Sequence, residues 1–322
     1  MSLAVAYIKS RPLVSADAAI ALKALIYSDI FSYPLTLAEV FERCNIDSIE
    51  SLKPALCELV QCGYVYFING FYLLRNEKSL VEQRLKANKK AKQYLCIAKW
   101  VTALIKHFPF VRGVMLSGSI SKNYIDELSD IDYFIITAPN RLWICRLFFI
   151  ICQKVLFFNR CKFFSYNYMI DEQHLAVQHR TYYSAMEIVT LIPTYNGKTY
   201  RIFQRYNDWT KQYFPNANQH NTQYVPYTQS ILQQTFEALF NNQFGEWADK
   251  KLMLLTQKNW RKKMVTKKFA NANELELKRF TAKAHTKDHY CSIMSLFTSR
   301  MQQYESLLNI KFQHAFADSF HQ

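Results

Sequence analysis

The chain has no CxxC pair among its eight cysteines, so it lacks the usual spacing of a zinc-binding or dithiol redox motif. The closest two, Cys57 and Cys62, fall within a helical pattern, and the set reads as reduced core thiols of a cytoplasmic protein. Also missing from the first residues are the basic segment and long apolar run of a secretory signal. The most apolar stretch, Leu142 to Phe158, is interrupted by Arg146, Gln153 and Lys154 and reads as a buried helix too short and too charged to span a bilayer. A cytoplasmic location without a membrane is therefore expected. His285 and His289 have the i, i+4 spacing of a metal pair, but no HExxH glutamate or third ligand accompanies them, and the spacing reads as coincidence. No internal repeat is evident.

Acidic residues become relatively scarce beyond residue 77. Residues 1–77 carry six Lys/Arg against eight Asp/Glu, whereas residues 78–322 carry 34 against 17. A polyanion should therefore meet the second part of the chain, and nucleic-acid contact through residues 78–322 is an expectation. Half the residues are hydrophobic and 16% are aromatic, which excludes a disordered chain and allows two or three domains with cores.

Residues 1–77 read as one domain ordered helix, helix, helix, hairpin. Ala18 to Ser28 has helical apolar spacing, Pro34-Leu-Thr36 caps a short helix through Arg43, and a helix opening at Asp47 runs to Cys62 and stops at Gly63. Tyr64 to Ile68, Asn69-Gly70 and Phe71 to Leu74 then spell a hairpin with a type I′ turn. This order resembles a winged-helix domain. The resemblance implies DNA contact through the third helix, but that helix carries three acids and one lysine, so packing or protein docking is the expected role.

Residues 78–108 read as a connecting basic helix, its buried face including Leu80, Leu85 and Val101, and its Lys86, Lys89, Lys90 and Lys92 cluster a solvated face. Next come apolar strands at 113–118 and 131–137, a helix from about Arg141 to Phe157, and a strand from Lys162 to Ile170. Tyr183 to Leu191 reads as a helix ended by Pro193, and Tyr200 to Phe214 as an aromatic-rich helix followed by a polar loop, 215–222. Trp209 and the nearby tyrosines suit core packing better than base stacking. The remainder of 196–322 has a helical pattern, with 12 Lys/Arg against two acids over residues 250–287.

The chemistry concentrates at Gly118-Ser119, followed after ten residues by Asp130-Ile131-Asp132. Strand alternation puts Asp130, Asp132 and Phe134 on one face, and two carboxylates about 6.6 Å apart along it can share a hard divalent cation. The spacing, between two apolar strands, resembles the nucleotidyltransferase (polymerase beta-like) superfamily in its minimal bacterial form, over residues 109–195. The resemblance implies a mixed α/β (α+β) sheet core, here flanked by a winged helix and a C-terminal helical region. It further implies that Gly118 and Ser119 hold the triphosphate of an NTP, ATP being the first choice, and that Asp130 and Asp132 bind Mg²⁺ or Mn²⁺. The reaction would move a nucleoside monophosphate to a hydroxyl of a small molecule, RNA or protein.

Two departures from the family pattern accompany it. Lys122 stands where some members have an arginine and offers a point charge without the bidentate fork. The usual third carboxylate is replaced in mid-strand by Asn167, with Ser165 and Met169 expected on its face, while Asp171 at the strand's end is an alternative. Asn167 can ligate a cation but cannot act as a general base. The alternative function is a catalytically degenerate member, a nucleotide-binding regulator or interaction module. Glu187 reads as a surface or core-edge acid.

Overall fold

The computed structural model describes residues 14–155, 161–218, 225–267, 275–284 and 289–312. In chain order its elements begin α1 (Ala16–Asp29), α2 (Leu37–Glu42), α3 (Ile49–Gln61), β1 (Tyr66–Ile68), β2 (Phe71–Leu73) and α4 (Lys78–Ile105). Then come β3 (Val111–Ser117), α5 (Gly118–Ser121), β4 (Asp132–Thr137), α6 (Leu142–Val155), β5 (Ser165–Asp171), α7 (Tyr182–Val189) and β6 (Ile192–Tyr195). The rest are α8 (Gly197–Tyr206), α9 (Ile231–Phe240), α10 (Gln243–Lys267), β7 (Leu275–Leu277), β8 (Thr281–Ala284) and α11 (His289–Leu308). The chain divides into two compact units: residues to Glu82 with Gln212–Ala217 and the stretch from Ser292, and Gln83–Lys211 with Asn218–Cys291.

In the first unit, side-chain oxygens start the helices. Ser15 Oγ accepts from the Ala18 N–H, Thr36 and Glu39 form a reciprocal capping box, and Ser48, one residue past the expected Asp47, accepts from the Ser51 N–H. Leu52, Ala55, Leu56 and Leu59 are buried at helical spacing on α3, as are Ala18, Ala21, Leu22 and Leu25 on α1. Each fully buried leucine of this kind stabilises the fold by about 1.5–3 kcal/mol. Asn69 and Gly70 have φ of 50° and 85°, the two positive values that a type I′ turn requires between β1 and β2. Helix α11 joins this unit from the far end of the sequence: Phe297 meets Tyr27 edge-on at 5.2 Å, and Arg300 and Arg75 both pair with Asp29.

The second unit is built on a six-stranded mixed sheet in the order β6-β3-β4-β5-β8-β7. Strands β3 and β4 pair antiparallel, whereas β4 and β5 are parallel and joined through α6, whose Trp143 and Phe149 are fully buried in the same core as Val114, Tyr133 and Ile135. Parallel neighbours need such a crossover, and the apolar run that cannot span a bilayer supplies it. It ends at Val155; residues 156–160, including Phe157 and Phe158, lie outside the described residues.

Several elements differ from the sequence reading. Residues 275–284 are not helical: β7 and β8 form a hairpin that adds antiparallel to the free edge of β5, through pairs such as Tyr168 with Lys283. An unfilled row of strand N–H and C=O groups outweighs the local helical pattern there. Pro193 does not simply end a helix but sits inside β6, an edge strand where a missing N–H is tolerated. The expected helix from Tyr200 to Phe214 stops at Tyr206, because buried Asn207 spends its amide on the Leu175 and Phe203 carbonyls and accepts from the Val177 and Trp209 N–H groups. Trp209 is thereby a core residue.

On α4, Leu85 is exposed and Arg84, hydrogen-bonded to Asn88, is buried in its stead. Lys86, Lys89 and Lys92 lie on the solvated face. Cys57, Cys96 and Cys291 are exposed rather than core thiols, while Cys44, Cys145 and Cys152 are buried, and all six are free. On the helices, thiol exposure follows the face each cysteine occupies and not its sequence spacing; Cys44 is buried in the bend after α2. No described helix is long and apolar enough to cross a membrane.

Candidate functional site

Strand β3 ends at Ser117, and the chain turns at Gly118 with φ of 69°, a left-handed value that glycine adopts without strain. Asp132, the first residue of β4, pairs across the sheet with Ser117 on one side and with Ser165 of β5 on the other. A Cβ on Gly118 would stand 2.6 Å from Asp132 Oδ2, so the turn and the second aspartate occupy one site. Helix α5 is a single turn of four residues. Its Ser119 carbonyl accepts from the Lys122 and Tyr124 N–H groups, and Ser121 Oγ, bonded to the Gly118 carbonyl at 2.8 Å, also reaches Thr190 Oγ1 of the α7 C-cap at 3.4 Å.

Burial pushes the Asp132 carboxyl up to about 6. A hydrogen bond from Ser165 opposes the rise, the charges of Asp130 and Glu187 add to it, and Lys122 opposes it. Lys122 itself is engaged: its Nζ lies 2.8 Å from Glu187 Oε1 and donates to the Gly118 carbonyl at 3.1 Å. Four charged side chains, Lys122, Asp130, Asp132 and Glu187, therefore act on one another beside the glycine turn. Glu187, part-exposed as a core-edge acid is, pairs with Lys122 and adds its charge to those around Asp132.

The remaining candidates are not all gathered here. Asp171 pairs with Thr137, at the opposite end of β4 from Asp132, about 17 Å away at strand rise. It is buried, accepts from the Gln173 N–H, and lies 2.6 Å from His174 Nδ1, so it shapes the turn after β5 and cannot reach Asp132. Between Ser165 and Tyr168 the β4/β5 register slips by one residue, a bulge that breaks the expected alternation. Ser165 accordingly sides with Asp132, whereas Met169 pairs with Ile135 in the core, so the two do not share a face. Asn167 belongs to this irregular stretch, and its side chain lies outside the described residues, as do those of His285 and His289.

Sequence reasoning placed Ser165 only beside Asn167 and Met169, and did not bring Glu187 to Lys122. Parallel pairing brings the first to Asp132 and the α7 packing brings the second to Lys122, so neither leaves a local motif. For a metal, Asp130 and Asp132 offer carboxylate oxygen, and no cluster of three or more His, Cys, Asp or Glu ligands occurs among the described residues. Two carboxylates suit Mg²⁺, which keeps waters and completes its shell with substrate phosphates. A search against family models, curated proteins and solved structures found no match for this chain.

Proposed function

We propose that the chain is a nucleotidyltransferase of the polymerase beta-like type, in which an acceptor hydroxyl attacks the α-phosphate of an NTP, ATP first, taking the nucleoside monophosphate as its proton is lost and pyrophosphate leaves. The closeness of the Gly118 turn to Asp132 carries this reading, because it sets a left-handed glycine turn beside a carboxylate that burial and like charge hold up at about 6. Gly118 and Ser119 would grip the triphosphate through N–H groups and the Ser119 hydroxyl. Asp130 and Asp132 would hold Mg²⁺, which supplies neutralisation of charge at the transferring phosphate. Lys122 can turn from Glu187 to the phosphates, and Glu187 is then an acid facing Asp132 in the role that Asp171 is too distant to fill. The helix, helix, helix, hairpin order of the first unit supports the winged-helix reading, with α3 a protein-docking or packing helix.

A catalytically degenerate, nucleotide-binding member is the second reading, favoured by the placement of Asp171 at the far end of β5. Labelled ATP, CTP, GTP and UTP with Mg²⁺ separate the two. The enzyme binds nucleotide and labels an acceptor in cell extract, whereas the degenerate member only binds. If Asp130→Ala/Asp132→Ala protein binds nucleotide and metal as well as the parent, both readings fail.

A further inference from the structure

Helices α9 and α10 pack inward on the sheet core through Phe240, Ala248, Leu252 and Met253, and through polar and charged groups as well. Gln233 donates to the Val111 carbonyl, Glu237 pairs with Arg112 at 2.8 Å, and Asp249 accepts from the Trp143 N–H. The opposite faces point outward and are strongly apolar. On α9 they show Ile231, 83% exposed, with Leu232 and Leu239; on α10 they show Phe244, Trp247, Leu254 and Leu255, all more than half exposed. Phe240, Phe244 and Trp247 stack in sequence, at 6.3 and 5.7 Å, which carries the apolar surface across the corner between the helices. Seven large apolar side chains on consecutive helices exceed the isolated exposed leucine of an ordinary surface.

The α10 stripe is also basic. Lys251 lies over the Trp247 ring at 6.0 Å, and Lys258, two turns further on, repeats its position. The acids of α10 are turned elsewhere: Glu246 pairs with Arg141, Lys250 and Arg279, and Asp249 is buried. The occupant must therefore be apolar and negatively charged together. A nucleic acid would answer the lysines and leave the leucines wet, and a second copy would bring like charge onto like charge. An anionic bilayer interface meets both demands, with leucine and tryptophan at the acyl boundary and lysine ammonium groups at the phosphates. It needs no spanning helix.

We propose that the outward face of α9 and α10 docks on an anionic phospholipid surface. The test is co-sedimentation of the full chain with vesicles of phosphatidylcholine alone or mixed with phosphatidylglycerol. Binding is expected to the mixed vesicles, to weaken with salt, and to be lost in Trp247→Glu/Leu254→Glu protein. Lys251→Gln/Lys258→Gln protein should bind about thirtyfold more weakly, which keeps the test alive if the first variant misfolds. Equal binding to neutral vesicles, or none to either, overturns the proposal. So does a dimer that Leu254→Glu dissociates without vesicle binding, which would assign the face to a second copy. Binding of single-stranded RNA that Trp247→Glu/Leu254→Glu leaves unchanged, with no vesicle binding, would assign only the lysines, to a polyanion.

Discussion

Asp132 and Asp249 are both pushed up to about 6 by burial, yet their surroundings have opposite sign. Asp249 accepts from the Trp143 and Ile144 N–H groups at the start of α6, with Arg141 and Arg279 also favouring its charge. Every neighbour there works against the cost of burial, as a helix N-terminus does for a carboxylate. Around Asp132 a serine and a lysine favour the charge, while Asp130 and Glu187 oppose it. The first arrangement closes a helix; the second leaves negative charge in excess beside a glycine turn. A raised pKa alone therefore distinguishes nothing, whereas the sign of the neighbours separates a carboxylate whose charge is met by donors from one left beside like charge.

The largest effect should come from the structural side. Asp249→Ala strands two buried N–H groups and is expected to cost about 4 kcal/mol in urea unfolding near pH 4, where the parent carboxyl is neutral. Its charge also fixes a pH dependence. Because the folded-state value of about 6 lies above the ordinary 3.8, the stability Asp249 contributes is complete below 3.8 and lost as pH rises through about 6. An Asp249→Asn chain, which cannot ionise there, should gain on the parent over that window by up to about 3 kcal/mol. Asp132→Asn likewise removes a buried charge, here one set beside two acids, and should stabilise the chain by about 2 kcal/mol at neutral pH while abolishing metal-dependent nucleotide binding. A loss of stability in that variant would erase the contrast. Gly118→Ala forces a side chain into the left-handed region and against Asp132, costing about 1–2 kcal/mol by thermal melting together with nucleotide affinity. Smallest of all, Asp171→Asn should cost about 1 kcal/mol and leave nucleotide binding unchanged in calorimetry. A clear drop in affinity would return Asp171 to the site.

The sequence made legible whatever is written locally. Thr36 with Glu39, Asn69-Gly70 and Gly63 announce their caps and turns because the backbone demands those residue types. Gly118 and the Asp pair were likewise readable, since the turn and the strand start are short-range features. Glu187, Ser165 and the displacement of Asp171 were not, for they depend on strand register and helix packing across tens of residues. A one-residue bulge undid the alternation that Ser165 and Met169 were expected to share. The β7/β8 hairpin was invisible because its lysines and alanine also suit a helix, and only the open edge of β5 selects the strand.

That hairpin sets an order of assembly. During synthesis β5 leaves the ribosome more than a hundred residues before its partner β8, so its outer edge waits bare through the making of α7, α8, α9 and α10. Pairings so distant along the chain are slow to close, and a nascent chain halted after α10 would carry β5 with one edge row of N–H and C=O groups still unpaired.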